Sequence, residues 1–242
     1  MKGSAYSALA SYYTRITGKD YEKAQAYLLA QLKARGAGLK GLDIGCGTGQ
    51  TLLCLISEGY RMTGVDISQE MLEKASALLQ GKKAPLFQQD MTALRLPETY
   101  DFAYVLTDGF NYVPPEKAEK TVRAIAKAVK KGGLLYLDLS SEYKLKTVLA
   151  NNVFAEDGED FTYLWFNRQT EKSVEMDLSF FIKRKDGAYE KSEESHTQYF
   201  YSAEALTELL NKNGFTVTDV CGENGAPYTK ESHRLSIWAK RD

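Results

Sequence analysis

The sequence predicts an α/β chain built on a mostly parallel sheet with helices on both faces. Three observations lead there. An apolar run over 39–44 turns directly into alternate glycines at Gly45, Gly47 and Gly49. A second short apolar run ends in Gly64-Val65-Asp66. Short apolar segments then alternate with amphipathic ones to about residue 140. That order requires parallel strands joined by helical crossovers.

The first forty residues hold Tyr6, Tyr12, Tyr13 and Tyr21, followed by Tyr27, Leu28, Leu29 and Leu32 at helical spacing. Residues 1–38 are therefore expected to form a helical cover whose aromatics either close the core or line a substrate cavity. Residues 39–44 read as the first strand, 48–58 as the helix after it and 61–66 as the second strand. Ser68 suits an N-cap, with Glu70 and Glu73 in the early turns of a helix running to about residue 79. Residues 85–89 and 101–107 read as the third and fourth strands. Pro114 and Pro115 open a helix with Val122, Ile125, Ala126 and Val129 on one side. Lys130-Lys131-Gly132-Gly133 is expected to close it before a buried strand at 134–139.

After about residue 157 the pattern changes. Residues 161–167, 174–183 and 189–201 are rich in β-formers, with Lys185-Asp186-Gly187 as a turn, which predicts a three-stranded antiparallel insert within 158–201. Ser202 starts a helix that Gly214 stops, and 215–220 and 235–240 bring the main sheet to seven strands. Residues 39–157 and 202–242 are thus expected to form one core.

With 242 residues, 43% of them hydrophobic, the chain can bury a core without metals or staples. A net charge of −1 and a pI near 6.2 give no global basic surface for nucleic acid or membrane. Cys46, Cys54 and Cys221 lack zinc-ligand spacing, and there is no secretory segment or continuous apolar span. The expected setting is the reducing cytoplasm, for a monomer or homodimer with no metal.

The glycines let the backbone turn through positive φ and approach a ligand closely. Asp66, 21 positions after Gly45, stands where a nucleotide fold receives a ribose hydroxyl pair. Asp90, in Gln88-Gln89-Asp90-Met91, suits an adenine amino group, with Met91 against the base. The run Gly45-Cys46-Gly47-Thr48-Gly49 departs from the G-x-G-x-x-G pattern of pyrophosphate sites, so an NAD-dependent oxidoreductase is the second enzyme reading. Cys46 reads as a small neutral residue of the turn.

LDIGCGTGQ, GVDIS, QQDM and DFAYVLTDGFNYV, in that order, resemble the class I S-adenosylmethionine-dependent methyltransferases. The resemblance is close over residues 39–140 and looser over the final helix and strands. It implies a Rossmann-like sheet, S-adenosyl-L-methionine as cofactor and S-adenosyl-L-homocysteine as product. By resemblance, Asp43, Gly45, Cys46, Gly47 and Gly49 surround the methionyl part of the donor, Asp66 with the adjoining Ile67 holds the ribose, and Asp90 with Met91 reads adenine. The segment YSALASYYTRITGKDY resembles the entrance of small-molecule methyltransferases, including sugar-amine N-methyltransferases, which implies that Tyr13 and Tyr21 touch the donor carboxylate or the acceptor. Thr14 stands where that subgroup often has Asp.

An amine must be neutral to attack a methyl group, and a hydroxyl benefits from losing its proton. Asp108, at the end of the fourth strand, and His196, in the insert, are the candidates for that proton, although Asp108 reads equally as a turn former. Asn111, Tyr112, Arg168, Tyr199, Tyr201 and His233 are candidate acceptor contacts. The competing readings are a stabilised turn for Asn111, an exposed cation for Arg168 and a solvated strand edge for His233. The expected reaction is methyl transfer to a nitrogen or oxygen of a small molecule. The alternatives are a donor-binding interaction protein without catalysis and an RNA methyltransferase. The latter is disfavoured because Asp108-Gly109-Phe110-Asn111 lacks the Asn/Asp-Pro-Pro-aromatic pattern.

Overall fold

The structure, a computed structural model, describes residues 9–242, with side chains from residue 22 onward. A long helix, α1 (Leu9–Ala34), leads into β1 (Lys40–Ile44), α2 (Gln50–Ser57), β2 (Arg61–Asp66), α3 (Gln69–Leu78), β3 (Leu86–Gln88), β4 (Tyr100–Val105), α4 (Pro115–Ala128) and β5 (Val129–Ser140). Four further strands follow: β6 (Val153–Asp157), β7 (Phe161–Gln169), β8 (Ser173–Lys183) and β9 (Tyr189–Tyr199). The chain closes with α5 (Ala203–Lys212), β10 (Phe215–Cys221) and β11 (Arg234–Arg241).

The main sheet has the order β10-β11-β5-β4-β1-β2-β3. The β1–β2, β1–β4, β2–β3 and β4–β5 pairs are parallel, whereas β11 runs antiparallel to both β5 and β10. This is the seven-stranded, mostly parallel sheet that the sequence predicts. Its two faces follow from strand periodicity. On β4, Ala103 and Val105 join Leu42, Ile44, Leu135 and Leu137 under α4 and α5, while Phe102 and Tyr104 join Met62, Tyr136 and Trp238 beneath Leu28 and Leu32 of α1 and Leu52 and Leu55 of α2. Ser68 and Ser202 each accept a backbone N–H at their helix N-termini, from Met71 and Ala205.

Two expectations are corrected. Lys130-Lys131-Gly132-Gly133 does not close α4, which ends at Ala128. These residues form an irregularity inside β5, where Val129 pairs with Tyr100 and Leu134 with Phe102, and Gly132 takes a φ of 76°. The antiparallel insert has four strands rather than three, because Val153–Asp157 adds itself to β7 across a turn at Gly158. β6 is an edge strand with four of its five residues exposed, so it carries no apolar alternation for sequence inspection to find.

The second sheet, β6-β7-β8-β9, packs Val174, Met176, Leu178 and Phe180 of β8 with Leu145 and Leu149 of a π-helical segment, Lys144–Leu149. It is fastened to the core through the turn that follows β4. Asn111, fully buried, donates to the carbonyls of Ser140 (3.2 Å) and Tyr199 (3.1 Å) and accepts from the Ser140 N–H (3.0 Å). The Tyr201 hydroxyl donates to the Val113 carbonyl at 2.7 Å. No helix among the described residues is long and apolar enough to cross a membrane.

Replacing Asn111 with Leu strands three buried backbone groups, which is expected to cost about 3 kcal/mol and lower Tm by roughly 6–12 °C. Thermal denaturation followed by circular dichroism reads this. An unchanged midpoint would show that the turn is held by other contacts.

Candidate active site

Strand order reverses between β1 and β4, and the crevice at such a switch point lies off the carboxyl ends of the strands. A cleft of about 340 Å³ opens there. Its lining comes from the segments that follow β1, β2, β3 and β4, together with the start of α4.

The glycine turn is strapped to β2. The N–H groups of Gly45 and Cys46 both donate to the Val65 carbonyl, at 2.7 and 2.9 Å. Gly45 turns at a φ of 82°. Gly49 does the same, and a Cβ on it would lie 3.0 Å from that of Ala75, so a side chain there would push α2 away from α3. Asp66 completes the strap by accepting from Gly47 N–H at 2.8 Å with one carboxylate oxygen and from Ser68 N–H at 2.9 Å with the other. Burial raises its pKa against the pull of these N–H groups. Beside it Ile67, 59% exposed, offers an apolar surface to the cleft. On the other side Asp90 accepts from Thr92 N–H at 2.8 Å, and Met91 lines the wall.

Asp43 and Cys46 are both buried. Asp43 is 3% exposed, outside the cleft lining, and accepts from the Tyr104 hydroxyl at 2.9 Å. Burial pushes its pKa up to about 8, with Tyr104 opposing and Asp66 adding to the rise. Burial, reinforced by Asp43 and Asp66, likewise raises the Cys46 thiol, which leaves it a neutral filler of the turn rather than a nucleophile.

The acceptor-side candidates separate. Asp108 is expected as a proton acceptor but forms an ion pair with Arg234 at 2.5 Å, and neither side chain lines the cleft. Burial alone would raise the Asp108 pKa; Arg234 and Lys144 outweigh it and hold the carboxyl below its ordinary value. A carboxylate so paired is a poor base. Arg234 also grips Asp138 with two nitrogens, at 3.1 and 2.5 Å, and Asp138 accepts from Thr107 N–H at 3.3 Å. Thr107 and Asp108 both take positive φ, at 46° and 68°, so this ion pair holds a strained corner whose Thr107 and Gly109 line the cleft.

Asn111 is spent on the backbone contacts described above, and the Tyr201 hydroxyl on Val113, so both hold the structure rather than an acceptor. Tyr112 lines the cleft. Arg168 is 75% exposed and ion-paired with Glu175 on the outer face of the second sheet, away from the cleft. His233 is exposed at the start of β11 and stacks on Tyr143, with ring centroids 6.0 Å apart. Tyr199 is half-buried and joins the site only through its carbonyl, held by Asn111. His196 is buried against Glu194 (3.2 Å) and meets Tyr112 edge-on, with centroids 5.9 Å apart. The side chains of Tyr13 and Tyr21 lie outside the described residues. Sequence inspection missed Thr107, Lys117 and Asp138. The signal for Asp138 was an acid inside an otherwise apolar strand, Leu134 to Leu139.

The cleft lining fits an adenosine-bearing donor, since it combines glycine backbone, an acid beside exposed Ile67 and a second acid beside Met91. Comparison with known proteins agrees. A family model described as a methyltransferase domain matches residues 42–133. A putative methyltransferase of Geobacillus sp. (strain WCH70) is 32% identical over 98% of this chain and 99% of its own length. A crystal structure of an S-adenosylmethionine-dependent methyltransferase from Clostridium acetobutylicum superposes with a TM-score of 0.89 at 27% identity, over 98% of both chains. The chain belongs to the class I S-adenosylmethionine-dependent methyltransferases. The sugar N-methyltransferase KedS8 from Streptoalloteichus sp. shares the fold at a TM-score of 0.77 and 21% identity, over 96% of this chain and 92% of its own. The cofactor of this methyltransferase is S-adenosylmethionine, and its product is S-adenosylhomocysteine.

Asp43 titrates near 8 in the fold and at about 3.9 in an unfolded chain, so the native state holds the extra proton between those values. The stability this contributes is full below the unfolded pKa and is lost as pH rises through the folded one. Asp43→Asn keeps an acceptor for Tyr104 without titrating. Its Tm advantage over the wild type is expected to widen from about pH 5 to about pH 9. A gap that stays constant in thermal melts would show that Asp43 is ionised throughout.

Proposed function

We propose that this methyltransferase acts on a nitrogen or oxygen of a small molecule. The observation that carries the reading is the second sheet fastened by Asn111 and Tyr201 to the turn that borders the donor cleft, which covers that edge of the core. The balanced surface charge argues the same way, since a nucleic-acid acceptor asks for a basic face. The sugar N-methyltransferase that shares the fold supports nitrogen as one of the two acceptor atoms.

Within this reading the glycine turn faces the methionyl end of the donor, Asp66 takes the ribose hydroxyls, and Asp90 with Met91 takes adenine between Ile67 and the wall. When bound, S-adenosylmethionine supplies a methyl group already activated on a sulfonium. The protein's task is then to hold an acceptor lone pair in line and to exclude water. The corner at Thr107 and Gly109 borders the reacting end, and its rigidity through Arg234 limits the positions an acceptor can take.

Asp66→Ala removes the ribose acceptor and the Gly47 strap together. Affinity for S-adenosylmethionine, measured by calorimetry, is expected to fall by about 10–100-fold while the far-ultraviolet spectrum is kept. Equal affinity would remove the ribose assignment. Incubation of the wild type with the donor and a panel of small amines and alcohols is expected to yield S-adenosylhomocysteine. Salt-dependent methylation of RNA instead would replace the small-molecule reading.

A further inference from the structure

The exposed face of α4 borders a groove that the donor site does not use. Two hollows of about 440 and 320 Å³ run between α4 and the segment 92–99 that joins β3 to β4. Arg95, Ala124 and Lys127 line both, so the two form one groove. It meets the donor cleft at Thr92, which lines the cleft as well as the groove. Positions 117, 120, 124 and 127 of α4 follow steps of three and four residues and therefore share one face. Lys117, which lines the cleft, begins that face, and Lys127 ends it about 15 Å further along the helix.

Ion pairing leaves the groove positive. Its acids are Glu98, Glu116 and Glu119. Lys40 binds Glu98 at 2.5 Å and Arg123 binds Glu119 at 2.5 Å, so two of these three are neutralised. Arg123 is spent in turn, since it also donates to Asn213 at 2.8 Å. The guanidinium of Arg95 and the ammonium groups of Lys120 and Lys127 are exposed and have no ion pair among the described residues. Only Glu116 opposes them, in a chain whose overall charge is −1. Like charges gathered along one groove repel, and an anionic partner relieves that repulsion.

The floor of the groove is apolar. Leu94 and Leu96 are half-buried against the core, and Ala124 lies among the lysines of α4. No aromatic side chain lines either hollow, so unpaired bases would find no ring to stack on, which counts against single-stranded nucleic acid. An apolar floor under a basic rim suits an amphipathic helix with aliphatic side chains on one face and carboxylates on the other. We propose that the α4 groove docks an acidic amphipathic helix of a partner protein. A helical stretch of about ten residues spans Lys117 to Lys127. The docked helix lies against the turn Met91–Ala93, whose Thr92 N–H is held by Asp90 at 2.8 Å, and so touches a turn that lines the donor cleft.

The probe is a fluorescein-labelled helical peptide of about 15 residues, leucine on one face and glutamate on the other, followed by fluorescence anisotropy as the protein is added. Saturable binding by the wild type is expected. Lys120→Glu with Lys127→Glu should weaken it about tenfold, and serine in place of the peptide's leucines should do the same. Lys185→Glu with Lys230→Glu changes the net charge equally at exposed sites off the groove and should bind within about twofold of the wild type. If the groove variant loses its folded circular-dichroism spectrum, Arg95→Glu takes its place. No saturable binding, equal losses in the two double variants, or equal binding of the serine peptide overturns the docking groove. Poly(U) that binds the wild type more tightly than the peptide and weakens in the groove variant also overturns it, in favour of an RNA surface.

Discussion

The turn after β4 is the constraint on which the rest of the site depends. Thr107 and Asp108 both occupy the left-handed region, a conformation that costs about 1–3 kcal/mol for each non-glycine residue. It persists because the surroundings over-determine it. Arg234 spans Asp108 and Asp138, Asp138 takes the Thr107 N–H, and Asn111 locks the end of the turn to Ser140 and Tyr199. Removing the arginine would leave two enclosed carboxylates facing each other, which is why such networks persist complete or not at all. The geometric result is that Thr107, Gly109 and Tyr112 stand in the cleft wall, while the second sheet is drawn over the same edge of the core.

That Gly45, Gly47, Asp66, Asp90 and Met91 share one cleft was legible in the sequence because their geometry is local. Three alternate glycines, an acid at the end of the next strand and an acid after the third strand each act through their own backbone segment, and parallel pairing brings those strand ends together. The acceptor half was not legible, because its residues are defined by partners far along the chain. Asp108 looked like a base at a strand end, yet its ion-pair partner lies 126 residues later. Asn111 looked like a polar contact, yet its amide is consumed by carbonyls 29 and 88 residues away. β6 escaped notice for a different reason: an edge strand needs one partner and no buried face, so its sequence shows no period.

Charge is handled differently at the glycine turn and at the turn after β4. At the glycine turn, burial drives Asp43 and Cys46 towards their neutral forms, while the Asp66 carboxylate lines the cleft and is held by the Gly47 and Ser68 N–H groups. At the turn after β4, charge is paired within the protein, where Arg234 joins Asp108 and Asp138.

The most direct measurement is a crystal structure of the enzyme with S-adenosylhomocysteine. The ribose hydroxyls are expected within hydrogen-bond distance of Asp66, adenine between Ile67 and Met91 with its amino group at Asp90, and the sulfur directed towards the corner at Thr107 and Gly109. A nucleoside bound with its ribose away from Asp66, or with its sulfur directed away from that corner, would contradict the site as assigned.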